Sequence, residues 1–182
     1  VCSSDLQKAQ ALYQLGEDYM RAGLFDRAET LFQELLEHEA YKKKALIQLL
    51  DIYQQESDWD KAIEISHRLE QAGEDGLAHI VAQYYCEIAE KALNSGDEAK
   101  ASQEIKRAHA HDKNCVRASL LQGRLLVSRG EYKAAMKAYK YVTEQDIEYV
   151  PEILGPLRNC YTELSNEAGF RGYLFEVLKK YN

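Results

Sequence analysis

The chain has 182 residues, a formal net charge of −7 and a sequence pI near 5.3. This acidity supplies no basic stripe for gripping nucleic acid, and no uncharged apolar stretch approaches the roughly 18 residues of a membrane span. Two prolines, ten glycines and a dominance of Ala, Leu, Glu, Lys and Gln in helical alternation predict an all-α chain without a flexible linker or a secretory signal. The negative balance suits a solvated surface and also a basic partner. Cys2, Cys86, Cys115 and Cys160 form no C-x-x-C pair; Cys86 and Cys160 fall at apolar helix positions and read as small core residues in a reducing compartment, a disulfide being the alternative.

Residues 1–8 are expected to be a leader or a truncation scar, with Ser4 and Gln7 placed to form a capping box. A helical hairpin follows over residues 9–42. Leu12, Leu15, Gly16 and Tyr19 share one face of its first helix. Gly23 ends that helix by allowing a left-handed turn. The second helix offers Phe25, Ala28, Phe32 and Leu35, and Ala28 is small because the two helices cross closest there.

The skeleton returns over 43–76 with Leu46, Leu49, Leu50, Tyr53, Trp59, Ala62, Ile65 and Leu69, and Asp58 is expected to cap the second helix. Tyr19 recurs as Tyr53 and Ala28 as Ala62, both at the same offset. Over 77–115 that spacing breaks, because Ala101 comes five positions later than the offset from Ala62 requires. The extra residues lie near 73–81 and predict a lengthened first helix or an enlarged loop, with a bend in the stack or a local pocket. Tyr84, Tyr85, Ile88, Ala89 and Ala92 carry the inner face of this segment, followed by Gly96, Ala101, Ile105 and Ala108.

The segment 116–150 restores the period, since Gly96 recurs as Gly130 and Ala101 as Ala135 at the original offset. Gln122 stands where Leu15 and Leu49 stood, so it must find a hydrogen bond or reach solvent. The last segment, 151–182, opens with Pro151 at a favoured first helical position. Pro156 then falls inside the first turns and is predicted to distort them. Tyr181-Asn182 ends the chain without a polar capping helix, which reads as an interior piece that continues, meets a partner or self-associates.

The shared offset, about 34 residues, is the period of the tetratricopeptide repeat. The expected fold is therefore all-α: a single solenoid over 9–182, with about five antiparallel helix pairs wound into a right-handed superhelix. Each hairpin has an apolar face it cannot bury alone, so copies stack into a curved surface whose usual work is binding.

Residues suited to catalysis or metal binding do not converge. His109 and His111 sit two apart on a helix and point about 200° apart, so one ion could not be shared without further ligands; they read as a solvated helix end. His38, His67 and His79 are isolated. The carboxylates lie on solvated faces, and there is no phosphate-binding glycine loop, nucleophile elbow or zinc-protease helix. Neither an enzyme activity nor a cofactor is expected. Most of the thirteen tyrosines fall at packing positions.

The remaining candidate is the concave wall of first-helix residues turned away from the second helix. Repeat phase places Tyr13, Glu17, Met20, Ile47, Asp51, Gln54, Glu90, Arg117, Arg124 and Asn159 there. Glu17, Asp51 and Glu90 share one phase and make an acidic stripe, with Arg124 reversing the sign; merely solvated positions are the alternative. Co-chaperone repeats that clamp a terminal carboxylate use Lys and Asn at this wall, so an acidic stripe disfavours a generic peptide-binding co-chaperone. The non-catalytic repeat region of a glycosyltransferase is a second alternative.

The runs Gln14-Leu15-Gly16-Glu17-Asp18-Tyr19-Met20 and Gly23-Leu24-Phe25-Asp26-Arg27-Ala28-Glu29 resemble the lipopolysaccharide assembly protein B family of Gram-negative bacteria. So do Leu49-Leu50-Asp51-Ile52-Tyr53, Trp59-Asp60-Lys61-Ala62-Ile63, Tyr85-Cys86-Glu87, Asp112-Lys113-Asn114, Gly123-Arg124 and Gly130-Glu131-Tyr132, in order, over about residues 9–178. The resemblance implies an adaptor at the cytoplasmic face of the inner membrane. It would restrain lipopolysaccharide synthesis by promoting degradation of the lipid A deacetylase by the membrane protease FtsH, so both are implied partners. That family also carries an N-terminal membrane helix and a rubredoxin-like zinc module with paired C-x-x-C motifs; neither pattern occurs in these residues, so membrane anchoring and metal binding are not expected of them.

Overall fold

The computed structural model describes residues 3–181, among which ten α-helices follow one another as antiparallel pairs. They are α1 (Ser3–Arg21), α2 (Phe25–Leu35), α3 (Glu39–Gln55), α4 (Trp59–Gln71), α5 (Ala78–Asn94), α6 (Glu98–His111), α7 (Val116–Ser128), α8 (Tyr132–Gln145), α9 (Val150–Glu163) and α10 (Glu167–Tyr181). Val1 and Cys2 of the expected leader lie outside the described residues, as does the Ser4 side chain of the expected capping box, while α1 already begins at Ser3.

Each hairpin turn is made by one residue in the left-handed region. Gly23, Gly96 and Gly130 have φ of 71°, 80° and 72°, and serine does the same at Ser57 (56°) and Ser165 (52°). The residue after the turn caps the next helix in three pairs. Asp58 accepts from the Lys61 amide, Asp97 from the Lys100 amide, and Asn166 from the Gly169 amide. The cap expected at Asp58 is thus formed.

The chain divides into two compact units, Val1–Leu77 and Ala78–Asn182. The boundary falls where the period breaks, and the extra residues form an enlarged connection between α4 and α5, with Gly73 and Gly76 both at positive φ. Of the two sequence alternatives, the loop is the one realised. The first unit buries Phe32, Leu35, Leu46, Leu49, Ile52 and Leu69. The second holds one core around Ala82, Cys86, Ala89, Ile105, Cys115 and Leu121, and another around Tyr139, Val142, Ile153, Leu157, Cys160 and Tyr173.

Within the first four pairs the helices close on a small residue: Ala28, Ala62, Ala101 and Ala135 are completely buried. In the last pair the equivalent place is held by Phe170, whose ring packs on Tyr161 at 5.7 Å, and a Cβ on the neighbouring Gly169 would lie 2.8 Å from the Tyr161 ring. A second close approach joins the two helices of the first and fourth pairs. A Cβ on Gly16 would meet the Phe32 ring at 2.7 Å, and one on Gly123 would meet the Tyr139 ring at 2.3 Å.

Two local expectations are corrected, at Leu15 and Pro156, and a third is met at Gln122. Leu15 is 42% exposed although its equivalent Leu49 is buried, lining one shallow pocket with Gln33 of α2 and Leu36 just after it. Helix α9 runs unbroken through Pro156; the donor that proline lacks would have faced the carbonyl of Glu152, an exposed residue where water can serve instead. Gln122 is exposed and hydrogen-bonds His109.

Candidate functional site

On α5, Glu87 and Glu90 are three residues apart and therefore share a face. On α7, Arg117 and Arg124 lie two turns apart on one face, and the packing of α7 beside α5 sets the two faces together. Arg117 bonds Glu87 at 2.5 Å through one nitrogen and Glu90 at 2.7 Å through another. Arg124 takes the second Glu90 oxygen at 2.8 Å and reaches Asn94 at 3.3 Å. One turn on, Arg129 bonds Glu98 at 2.9 Å.

The chemistry follows from this sharing. Hydrogen bonds from Arg117 and then Arg124 hold the Glu90 carboxyl below the usual carboxylate range, and Glu87 in turn raises Arg117. Glu90 is therefore a neutralised member of an ion-pair ladder. The acidic stripe expected from Glu17, Asp51 and Glu90 does not continue through it.

Beside the ladder opens a cleft of about 620 Å³, lined by residues of α5, α7, α8, α9 and the segments joining them. Its wall carries Val116, Leu120, Leu121, Tyr139, Tyr149 and Pro156 as apolar surface. Four carboxylates, Glu90, Asp112, Asp146 and Glu152, face two guanidinium groups, Arg117 and Arg124. A smaller cavity of about 400 Å³ adjoins it through Arg124, Tyr139 and Pro156, and Asn159 lines this one. Four of the wall residues named from repeat phase, Glu90, Arg117, Arg124 and Asn159, are thus brought together around two adjoining hollows.

In the first unit the other six do not converge on a hollow of this kind. Tyr13 is half-buried against Phe32 and Tyr41, with ring centroids at 5.7 Å in both cases. It accepts a hydrogen bond from Gln48 at 3.2 Å and bonds Glu17, so it ties α1 to α3. Met20 and Gln54 are half-buried, while Ile47 and Asp51 stand exposed. Glu29, Tyr53 and Lys61 make the main polar network here. The Tyr53 hydroxyl donates to Glu29 at 2.7 Å, Lys61 lies 4.8 Å over the Tyr53 ring, and burial pushes the Tyr53 hydroxyl up to about 12.

Sequence reasoning missed the acidic rim at Asp112, Asp146 and Glu152, because these residues sit at helix ends, off the first-helix phase that selected the wall. It also missed that Cys115 and Cys86 meet, with Sγ atoms 3.7 Å apart. The Cys86 thiol bonds Cys115 and lowers it to about 7, and the same contact with burial drives Cys86 upward. His109 and His111 are not a solvated pair. Burial lowers His109, and the His111 ring packs on Tyr85 at 5.3 Å. Among the described residues no group of three or more His, Cys, Asp or Glu is placed to hold a metal ion, and no helix is long and apolar enough to cross a membrane.

The family model of the tetratricopeptide repeat matches residues 13–75 and 86–149. The chain belongs to the tetratricopeptide repeat family. It is homologous to lipopolysaccharide assembly protein B of Escherichia coli strain K12, with 40% identity over 174 residues, 96% of this chain and 45% of that protein. The Haemophilus influenzae protein of the same name is 37% identical over 171 residues, 94% of this chain and 43% of that protein. The chain therefore spans less than half the length of the curated relatives it matches. Among solved structures, MamA superposes with a TM-score of 0.56 at 17% identity, covering 94% of this chain and 91% of that one. YrrB, described as a tetratricopeptide repeat protein with an unusual peptide-binding site, gives 0.52 at 15% identity, covering 92% and 84%. At these identities the likeness is one of repeat fold alone.

Proposed function

We propose that this tetratricopeptide repeat segment is a non-catalytic docking module that holds a basic polypeptide segment in the cleft of its second unit. The observation that carries this reading is the lining of that cleft, where an apolar floor is rimmed by Asp112, Asp146 and Glu152, while its two guanidinium groups are already engaged by Glu90. An extended segment with Lys or Arg beside an apolar residue complements both features. Homology to lipopolysaccharide assembly protein B extends the proposal to biology: an adaptor at the cytoplasmic face of the inner membrane, acting on lipopolysaccharide synthesis through FtsH-dependent degradation of the lipid A deacetylase. In that scheme the repeats dock and the protease cuts.

The test is association of the purified chain with the cytosolic region of FtsH and, separately, with the deacetylase, by calorimetry. Binding to either is expected to weaken about tenfold, or about 1.4 kcal/mol, when Asp146 and Glu152 are both changed to Lys. Reversal of Glu17 and Asp51 is the control at the other unit. If that control alone abolishes binding, docking belongs to α1 and α3. If a correctly helical chain binds neither protein, the adaptor reading is wrong for these residues.

A further inference from the structure

The docking reading makes no use of Cys86 and Cys115, yet the fold holds them as a pair. Cys86 lies inside α5 and Cys115 at the N-cap of α7, 29 residues away in sequence. Both belong to one buried core, and their Sγ atoms are 3.7 Å apart. A disulfide needs an approach of only about 1.7 Å from there, to roughly 2.05 Å. The two sulfurs are not equivalent. Cys115, 2% exposed, lines the 620 Å³ cleft, whereas Cys86 is completely buried behind it. Cys115 also accepts from the Gln83 amide at 3.6 Å and from the backbone amides of Arg117 and Ala118 in the first turn of α7, donors that stabilise a thiolate. Cys160, the remaining buried thiol, belongs to the other core of the unit.

We propose that Cys86 and Cys115 form a thiol–disulfide exchange site whose substrate is a low-molecular-weight disulfide such as glutathione disulfide entering through the cleft. The Cys115 thiolate attacks one sulfur of that disulfide, forming a mixed disulfide and expelling one glutathione thiolate. The Cys86 thiol then gives up its proton and attacks the Cys115 Sγ, forming the Cys86–Cys115 bond and expelling the second thiolate. The protein dithiol loses two electrons and two protons, and one glutathione disulfide becomes two glutathione thiols. The new bond ties α5 to α7 beside the Glu87–Arg117 pair, so the oxidised cleft has a covalently fixed wall.

The experiment uses the full chain with Cys2→Ser, incubated folded with glutathione disulfide, then digested and mapped by mass spectrometry. A Cys86–Cys115 peptide two hydrogens lighter than its reduced parts is expected, along with a raised melting temperature that dithiothreitol reverses. Cys86→Ala should trap glutathione on Cys115, with Cys160 modified at least about tenfold more slowly. The wild-type pair needs no variant that must fold, so the linkage map stands by itself. A folded, helical chain with no such link, a link formed only in denaturant, or first modification at Cys160 would overturn the assignment.

Discussion

Gly123 packs directly on Tyr139: a methyl group at residue 123 would come within 2.3 Å of the Tyr139 ring, which is 2% exposed. Gly16 and Phe32 repeat the arrangement in the first unit, with Phe32 completely buried. Two effects of a Gly→Ala change then compete. Alanine improves helix propensity by about 1 kcal/mol, whereas overpacking a closed core costs about 1–3 kcal/mol. Gly123→Ala and Gly16→Ala are expected to lower the melting temperature. Gly155→Ala and Gly172→Ala, helical sites with nothing within 4 Å of the added carbon, should raise it. Thermal denaturation of the four variants checks both signs.

Ser57 holds the left-handed turn that glycine makes in three other hairpins. Relief of that strain should outweigh the added freedom of glycine in the unfolded chain, and Ser57→Gly is expected to stabilise by about 0.5–1 kcal/mol. Gly96→Ser, the reverse change at an equivalent turn, should destabilise by a similar amount. Urea denaturation midpoints at constant m decide it.

The Glu90 clamp predicts a pH dependence. Its carboxyl is held below its ordinary value by Arg117 first and Arg124 second. The stabilisation is therefore fully present above the unfolded carboxylate value, about 4.3, and is lost as pH falls through the lower folded value. Glu90→Gln should flatten the acid limb of a stability–pH curve while changing its shape little above pH 6. An unchanged acid limb would mean that the clamp is not maintained in solution.

At the alkaline end the sign reverses. Burial pushes the hydroxyls of Tyr53 and Tyr139 up to about 12. Their neutral forms stabilise the fold below the unfolded tyrosine value near 10, and that contribution disappears as pH rises through about 12. Ultraviolet titration should resolve a late tyrosinate phase that shrinks in Tyr53→Phe. The same variant loses the hydrogen bond to Glu29, at a cost of about 0.5–1.5 kcal/mol.

Much of the fold was legible in the residues. Ala28, Ala62, Ala101 and Ala135 marked the crossings because only a small side chain fits there, and the excess spacing before Ala101 located the enlarged α4–α5 connection. In the last hairpin Ser165 makes the turn, but Phe170 stands where the other pairs have alanine, so that hairpin read as the weakest. Pro156 misled because a proline near a helix start has an exposed carbonyl to leave unpaired.

Repeat phase says which side of its own helix a residue occupies, and it grouped Glu90 with Arg117 and Arg124, both of which hydrogen-bond that carboxylate. It does not say which partner a long side chain will reach. That depends on how closely α5 and α7 pack, a distance set by Ala82, Ala89, Ala118 and the rest of the core between them. The periodic sequence thus determined an all-α repeat and the positions of its turns. Only the tertiary structure decided that Glu90 is neutralised, that Cys86 meets Cys115 and that carboxylates from helix ends rim one cleft, because each is a contact between segments far apart in the chain that have no local code for one another.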